Sequence, residues 1–210
     1  MRTQAPALPP LEQAPIRPSY ARMERVLIVL IVVLLAVGAW QAGRGVWIHA
    51  KALLAQALIA SAWDRTLAEG APVRPWPWAD TWPVARLSVP RLGVVRYVLA
   101  GSGGAALAFG PGHVTGTAHP GDGGNSVIAG HRDTHFSFLQ EVRIGDEMVV
   151  ERPDGTRVRY RVGDARILDR RSTWVMEQAG PSRLTLVTCY PFGALRAGGP
   201  ERYVLLAFLS

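Results

Sequence analysis

The chain has 210 residues, 49% of them apolar and 19% charged, with a formal net charge of +7 and a single cysteine, Cys189. This size and apolar share suit one globular domain with a short attachment and exclude global disorder. The charge excess is dispersed, +4 over residues 1–63 and +3 over the rest, with no basic stripe interleaved with aromatics, which argues against a nucleic-acid partner. One cysteine also excludes an intrachain disulfide framework and a thiolate-rich zinc cluster.

Residues 1–25 carry Pro6, Pro9, Pro10, Pro15 and Pro18 and read as a disordered tail. The apolar run that follows, residues 26–43, approaches the ~20 residues a helix needs to cross a bilayer. Arg17, Arg22 and Arg25 precede it, so the positive-inside rule leaves the tail in the cytoplasm and sends the remainder across. A cleaved signal peptide is the alternative, but Trp40-Gln41-Ala42-Gly43 is a poor cleavage site and the polar lead is long. The expectation is a single-pass signal anchor in the inner (cytoplasmic) membrane, with a periplasmic domain. Cys189 would then be an unpaired thiol in an oxidising compartment, a placement that argues for use.

Residues 44–83 form a membrane-proximal segment. Trp47, Leu53, Leu54, Leu58, Ile59 and Trp63 fall at helical spacing, which predicts a helix over 46–69 that either prolongs the anchor or packs on the domain. Pro72, Pro75, Pro77 and Pro83 then forbid regular structure, while Trp76, Trp78 and Trp82 ask for burial, as in a collar packed against the domain.

Residues 84–210 read as short strands between Gly and Pro turns, an all-β sandwich or barrel. The expected strands are 85–89, 94–99, 126–129, 147–152, 157–162, 165–168, 183–188 and 202–209, with a hairpin at Pro153-Asp154-Gly155. The Gly-rich stretch 101–124 is expected to be loop with one short helix near 105–109, and a loop of that length is usually functional.

Cys189 ends a β-branched and leucine-rich run. Alternation sets Thr185, Val187 and Cys189 on one face and Leu184, Leu186 and Thr188 on the other, placing the sulfur at an accessible strand tip. Arg202, thirteen positions on, opens the last strand, a separation that suits two antiparallel neighbours. His131, in Gly130-His131-Arg132-Asp133, also follows an apolar run and can converge on the same edge. A thiolate, an imidazole and a guanidinium make a minimal acyl-transfer set: nucleophile, proton carrier and oxyanion donor. The competing readings are structural: Cys189 as core filler, His131 as a turn cap, and Arg202 paired with Glu201 or Asp169. Arg196 competes for the arginine role but sits in a Gly-rich loop. His113, His119 and His135 are irregularly spaced and read as loop decoration, so no metal and no cofactor are expected.

The segments Gly130-His131-Arg132-Asp133-Thr134, Thr185-Leu186-Val187-Thr188-Cys189 and Arg202-Tyr203-Val204 resemble, in order and spacing, the signature of the sortases, membrane-anchored cysteine transpeptidases. Gly110-Pro111-Gly112-His113 and the lead-in from Gly116 to Asn125 are similar to the sortase approach to its histidine. Trp82-Pro83-Val84-Ala85-Arg86-Leu87 and the arginine-rich composition resemble the Gram-negative proteobacterial branch. The resemblance covers residues 84–210. It implies an eight-stranded β-barrel, with His131, Cys189 and Arg202 as catalytic residues and Thr188 shaping the site.

The implied reaction cleaves a C-terminal Leu-Pro-x-Thr-Gly-like signal through a thioester on Cys189 and passes the protein to an amine acceptor. The loop 169–182 matches the family's signal-binding loop, where Trp174, Val175 and Met176 either line a pocket for Leu and Pro or, in the case of Trp174, plug the barrel end. Some sortases bind calcium through acidic loop residues, but little beyond Asp122 is available here for that. Two other functions stay open: a cysteine hydrolase of the cell envelope, and a tethered β-domain that binds a partner without chemistry. Papain-like enzymes place the cysteine ahead of the histidine, the reverse of this order, and the Ser-x-Gly-Cys context of L,D-transpeptidases is absent.

Overall fold

The computed structural model describes residues 19–178, 180–194, 196 and 198–210, which fall into two compact units, 1–50 and 51–210. One helix, α1 (Ser19–Glu69), enters both. No proline lies between Pro18 and Pro72 to interrupt it, and Gly70 ends it in the left-handed conformation (φ 67°), its N–H donating to the Thr66 carbonyl at 3.0 Å. In the first unit the apolar side chains from Val26 to Leu35 are exposed, and the helix is long and apolar enough to cross a bilayer. The helix starts at Ser19, so residues 19–25 are helical and do not belong to an irregular tail; residues 1–18 lie outside the described residues.

In the second unit Ala55, Ile59, Ala62, Trp63 and Thr66 are buried along one stripe of α1. Ile59 clusters with Leu99 and Ala106, and the Trp63 ring lies 6.5 Å from that of Tyr97. The 46–69 segment continues the helix that begins at Ser19, and its residues 55–66 also pack on the domain. The collar also packs, with Trp76 edge-on to Phe109 and Thr81 donating to the Ala100 carbonyl at 2.8 Å. None of the three tryptophans is fully buried: Trp76 and Trp82 are half-buried and Trp78 is 80% exposed.

The rest is a closed barrel built from β1 (Pro83–Val89), β2 (Val94–Ala100), β3 (Gly112–His113), β4 (Asn125–Ala129), β5 (Glu147–Glu151), β6 (Arg157–Asp169), β7 (Arg183–Tyr190) and β8 (Glu201–Leu209), in the order β1-β2-β3-β4-β7-β8-β6-β5. A short helix, α2 (Gly104–Leu107), precedes β3. Among the described residues, only β2 with β3 and β4 with β7 run parallel. The core is the inward residue set, among them Leu87, Ile128, Phe136, Met148, Tyr160, Leu184, Leu186 and Leu205.

Eight strands are expected and eight are found, but they are not the same eight. The runs 157–162 and 165–168 form one strand, β6, broken only by a bulge between Val162 and Asp164. Gly163 marks that bulge because a Cβ there would meet the Phe208 ring at 2.7 Å. The eighth strand is β3, two residues inside the stretch expected to be loop, and too short to show any alternation.

Gly112 in β3 has no room for a side chain, since a Cβ would overlap the backbone carbonyl of Gly101. Gly112→Ala is expected to destabilise the barrel by about 2–3 kcal/mol through overpacking against atoms that cannot rotate away, read as a lowered denaturation midpoint with unchanged slope.

Candidate active site

Three neighbouring strands build one rim of the barrel. The parallel pair β4 and β7 is in register from Asn125 opposite Arg183 to Ala129 opposite Val187. The Gly130 N–H continues that ladder to the Val187 carbonyl at 3.1 Å. Antiparallel β8 sets Arg202 directly opposite Cys189. The ends of β4 and β7 and the beginning of β8 therefore meet on one edge, and they carry His131, Cys189 and Arg202.

Cys189 is a free, half-buried thiol. Leu184 and Leu186 lie in the core and Thr188 is 2% exposed, so alternation turns Cys189 to the opposite, outer face. Arg202 is half-buried, and its Nη1 donates to the carbonyls of Gly199 (3.0 Å) and Glu201 (2.8 Å). Neither Asp169 nor the Glu201 carboxylate pairs with it, nor does any other carboxylate among the described residues. Arg202 thus keeps donors for an incoming anion. Arg196 is exposed in the loop between β7 and β8.

His131 is exposed just past the end of β4, its carbonyl accepting from Phe136 N–H at 3.0 Å. The preceding glycine is obligatory. A Cβ on Gly130 would stand 2.7 Å from the ring of Phe136, which is fully buried. Thr188 holds the same turn from below, its Oγ1 donating to the Gly130 carbonyl at 2.8 Å. Thr188, which the resemblance implies shapes the site as a substrate-binding residue, thus contacts the turn that carries His131. Strand alternation points it away from the Cys189 face, and its bond to the turn is made at the Gly130 carbonyl.

The loop carrying Trp174, Val175 and Met176 leaves β6 at the Cys189 rim, where Arg170 N–H bonds the Pro200 carbonyl at 2.6 Å. It returns at the far rim, where Arg183 pairs with Asn125. Trp174 is half-buried, with the Arg166 guanidinium 5.5 Å from its ring centroid. Val175 is half-buried and Met176 is 37% exposed, so apolar surface of all three is accessible.

One residue whose role the sequence reading missed fixes this loop. Asn125 is fully buried; its Nδ2 donates to the Val175 (2.8 Å) and Glu177 (3.0 Å) carbonyls, and its Oδ1 accepts from Thr185 Oγ1 (2.7 Å). Gln178 adds a bond from Nε2 to the Asn125 carbonyl at 3.1 Å. The available signal was an amide heading the strand Asn125-Ser126-Val127-Ile128-Ala129.

The remaining histidines have separate surroundings. His113 is buried, its Nε2 2.9 Å from the Ala118 carbonyl and 3.1 Å from Thr117 Oγ1, with the His119 ring stacked at 5.1 Å. Burial lowers its pKa below the usual imidazole value. His135 is also lowered, first by burial and then by the charges of Arg96 and His131. Among the described residues, no three His, Cys, Asp or Glu side chains gather into a group able to hold a metal ion.

The sortase-domain family model matches residues 87–210. Sortase D of Bacillus subtilis (strain 168) is 29% identical over 120 residues, which is 57% of this chain and 60% of that protein. The chain thus spans less than two thirds of that curated relative's length. Among solved structures, a sortase D5 transpeptidase from Clostridium perfringens aligns at 27% identity over 61% of this chain and 79% of that one, with a TM-score of 0.54. Sortase C-1 from Actinomyces oris aligns at 27% identity over 61% and 72%, with a TM-score of 0.55. Sortase A from Corynebacterium diphtheriae aligns at 25% identity over 63% of each chain, again with a TM-score of 0.55.

Replacing Asn125 by Ala leaves the Val175 carbonyl and the buried Thr185 hydroxyl without their partner and removes one of two donors from the Glu177 carbonyl, which Arg183 Nη2 still reaches at 2.9 Å. The expected cost is about 2–3 kcal/mol, measured by denaturant unfolding, with faster amide exchange over residues 174–178.

Proposed function

The chain belongs to the sortase family, and from that premise we propose that it is a membrane-anchored cysteine transpeptidase that cleaves a C-terminal sorting signal of the Leu-Pro-x-Thr-Gly kind and transfers the protein to an amine. The observation that carries this reading is the register pairing of Cys189 with Arg202 beside the strand that delivers His131. Cys189 Sγ, its proton having passed to His131, attacks the scissile carbonyl carbon, forming a C–S bond as the carbonyl π electrons move onto oxygen. The negative charge that develops on the carbonyl oxygen is met by Arg202, whose guanidinium has no carboxylate partner to leave among the described residues. His131 gives a proton to the departing amine as the C–N bond breaks, leaving a thioester on Cys189. An incoming amine then loses a proton to His131, attacks the thioester and forms the new amide, returning sulfur to Cys189.

Trp174, Val175 and Met176 offer apolar surface for the Leu and Pro of the signal, and Asn125 holds their loop in place. Residues 26–43 anchor the enzyme in the inner membrane with its amino terminus in the cytoplasm, so the catalytic domain is periplasmic. Trp82-Pro83-Val84-Ala85-Arg86-Leu87 supports assignment to the Gram-negative branch of the family.

Product analysis tests this function. With a Leu-Pro-x-Thr-Gly-type peptide and an added amine, the wild type should yield the transfer product, and Cys189→Ala or His131→Ala should lower turnover by about 10³-fold or more. Arg202→Lys should lose roughly 10²-fold, as expected for a displaced oxyanion donor. Arg196→Ala should stay within about 2-fold, as a surface substitution away from the reacting atoms does. Cleavage that yields only the free acid at saturating amine would make the enzyme a hydrolase. A collapse of Arg196→Ala matching that of Cys189→Ala would move the arginine role.

A further inference from the structure

Arg132 follows the histidine directly, yet its side chain is only 2% exposed. Its guanidinium is almost completely bonded. Nε donates to Asp133 Oδ1 at 2.9 Å, Nη1 to the Pro191 carbonyl at 2.8 Å, and Nη2 to the carbonyls of Ala194 (3.1 Å) and Arg196 (3.0 Å). All three carbonyls belong to the loop that leaves Cys189 at the end of β7 and returns to Arg202 at the start of β8. A guanidinium does not deprotonate in proteins, so burying one requires fixed acceptors, and these acceptors are the loop itself.

The pairing of β7 with β8 sets Cys189 against Arg202 without help. His131 has no such support, because the paired residues of β4 stop at Ala129. Beyond that point the histidine is located by the backbone bonds of its turn, by Thr188 beneath Gly130, and by the neighbouring Arg132. The Arg132 loop also holds Arg202, whose Nη1 rests on the Gly199 carbonyl. We propose that Arg132 is a positioning residue for the transfer reaction: one buried guanidinium ties the His131 turn to the loop between Cys189 and Arg202, and so fixes the imidazole relative to the sulfur and the oxyanion donor. This inference rests on the reading of those three residues as the catalytic set.

Arg132 faces the loop carbonyls, whereas the apolar residues assigned to signal binding sit on a separate loop held by Asn125. Its loss should therefore act on the chemical step and spare peptide affinity. The test uses full-length Arg132→Lys and Arg132→Gln, with steady-state peptide cleavage, near-UV circular dichroism and thermal melting. Lysine keeps the charge but cannot fork to three carbonyls, so kcat should fall about 10-fold in Arg132→Lys and roughly 10²-fold in Arg132→Gln, the scale of an ångström-size misplacement of reacting groups. KM should move less than about 3-fold, as expected when a change acts on the transition state and not on substrate binding.

A folded lysine variant with wild-type kcat, or one whose KM rises while kcat holds, overturns the inference alone. Melting of both variants below the assay temperature also overturns it, making Arg132 a residue of the fold. If the glutamine variant alone melts, the lysine variant decides. A wild type that forms no acyl-enzyme overturns the catalytic reading, and this inference with it.

Discussion

The register of β7 between β4 and β8 is the constraint on which the rest of the site depends. Side chains alternate across a strand, so a slip of one residue would turn Cys189 into the barrel and push Leu184, Leu186 and Thr188 to the outside. That slip is opposed along the whole strand, because Leu184 and Leu186 are fully buried in the core and Thr188 has its hydroxyl bonded to Gly130. The core side of β7 therefore specifies the position of the sulfur on the other side. Because β4 runs parallel and β8 antiparallel to it, one edge collects a strand exit, a second strand exit and a strand entry. An edge of that kind brings together residues distant in sequence with little need of long loops between them.

Polar side chains with buried backbone acceptors secure the two ends of this assembly. At the far rim Asn125 binds the loop of Trp174, Val175 and Met176 to the head of β4. At the near rim Arg132 binds the loop that joins β7 to β8. In each case a buried side chain in β4 or just past its end donates to carbonyls of a loop. The same division separates the two tasks assigned to the site, with peptide recognition referred to one loop and the reacting groups to the other. Apolar packing places the strands, and these hydrogen bonds place what hangs from them.

Much of this was legible in the sequence because it follows from alternation. The facing of Cys189, its opposition to Arg202 and the tight Pro153-Asp154-Gly155 hairpin need only a period of two and known turn chemistry. The barrel strands that escaped were the ones with no period to read. β3 is two residues long, and β6 is interrupted at Gly163 by a bulge that resembles a strand break. The parallel pairing of β4 with β7 joins segments nearly sixty residues apart in the chain, and no local pattern records it. Thr188 stands next to the cysteine in the chain but faces the other way, with its hydroxyl on the Gly130 carbonyl, a contact that no local pattern records. Asn125 and Arg132 were passed over for a related reason: each acts on backbone carbonyls, which have no sequence signature. Trp78 shows the limit of composition, since an aromatic ring that asks for burial is here 80% exposed.

The central claim is that Cys189 becomes acylated by a sorting-signal peptide, and intact-mass spectrometry of the full-length protein after incubation with a Leu-Pro-x-Thr-Gly-type peptide tests it most directly. The predicted result is an added mass equal to the peptide up to its threonine, mapped to Cys189 and discharged by hydroxylamine. An unmodified protein alongside intact peptide, or an adduct on any other residue, would contradict it.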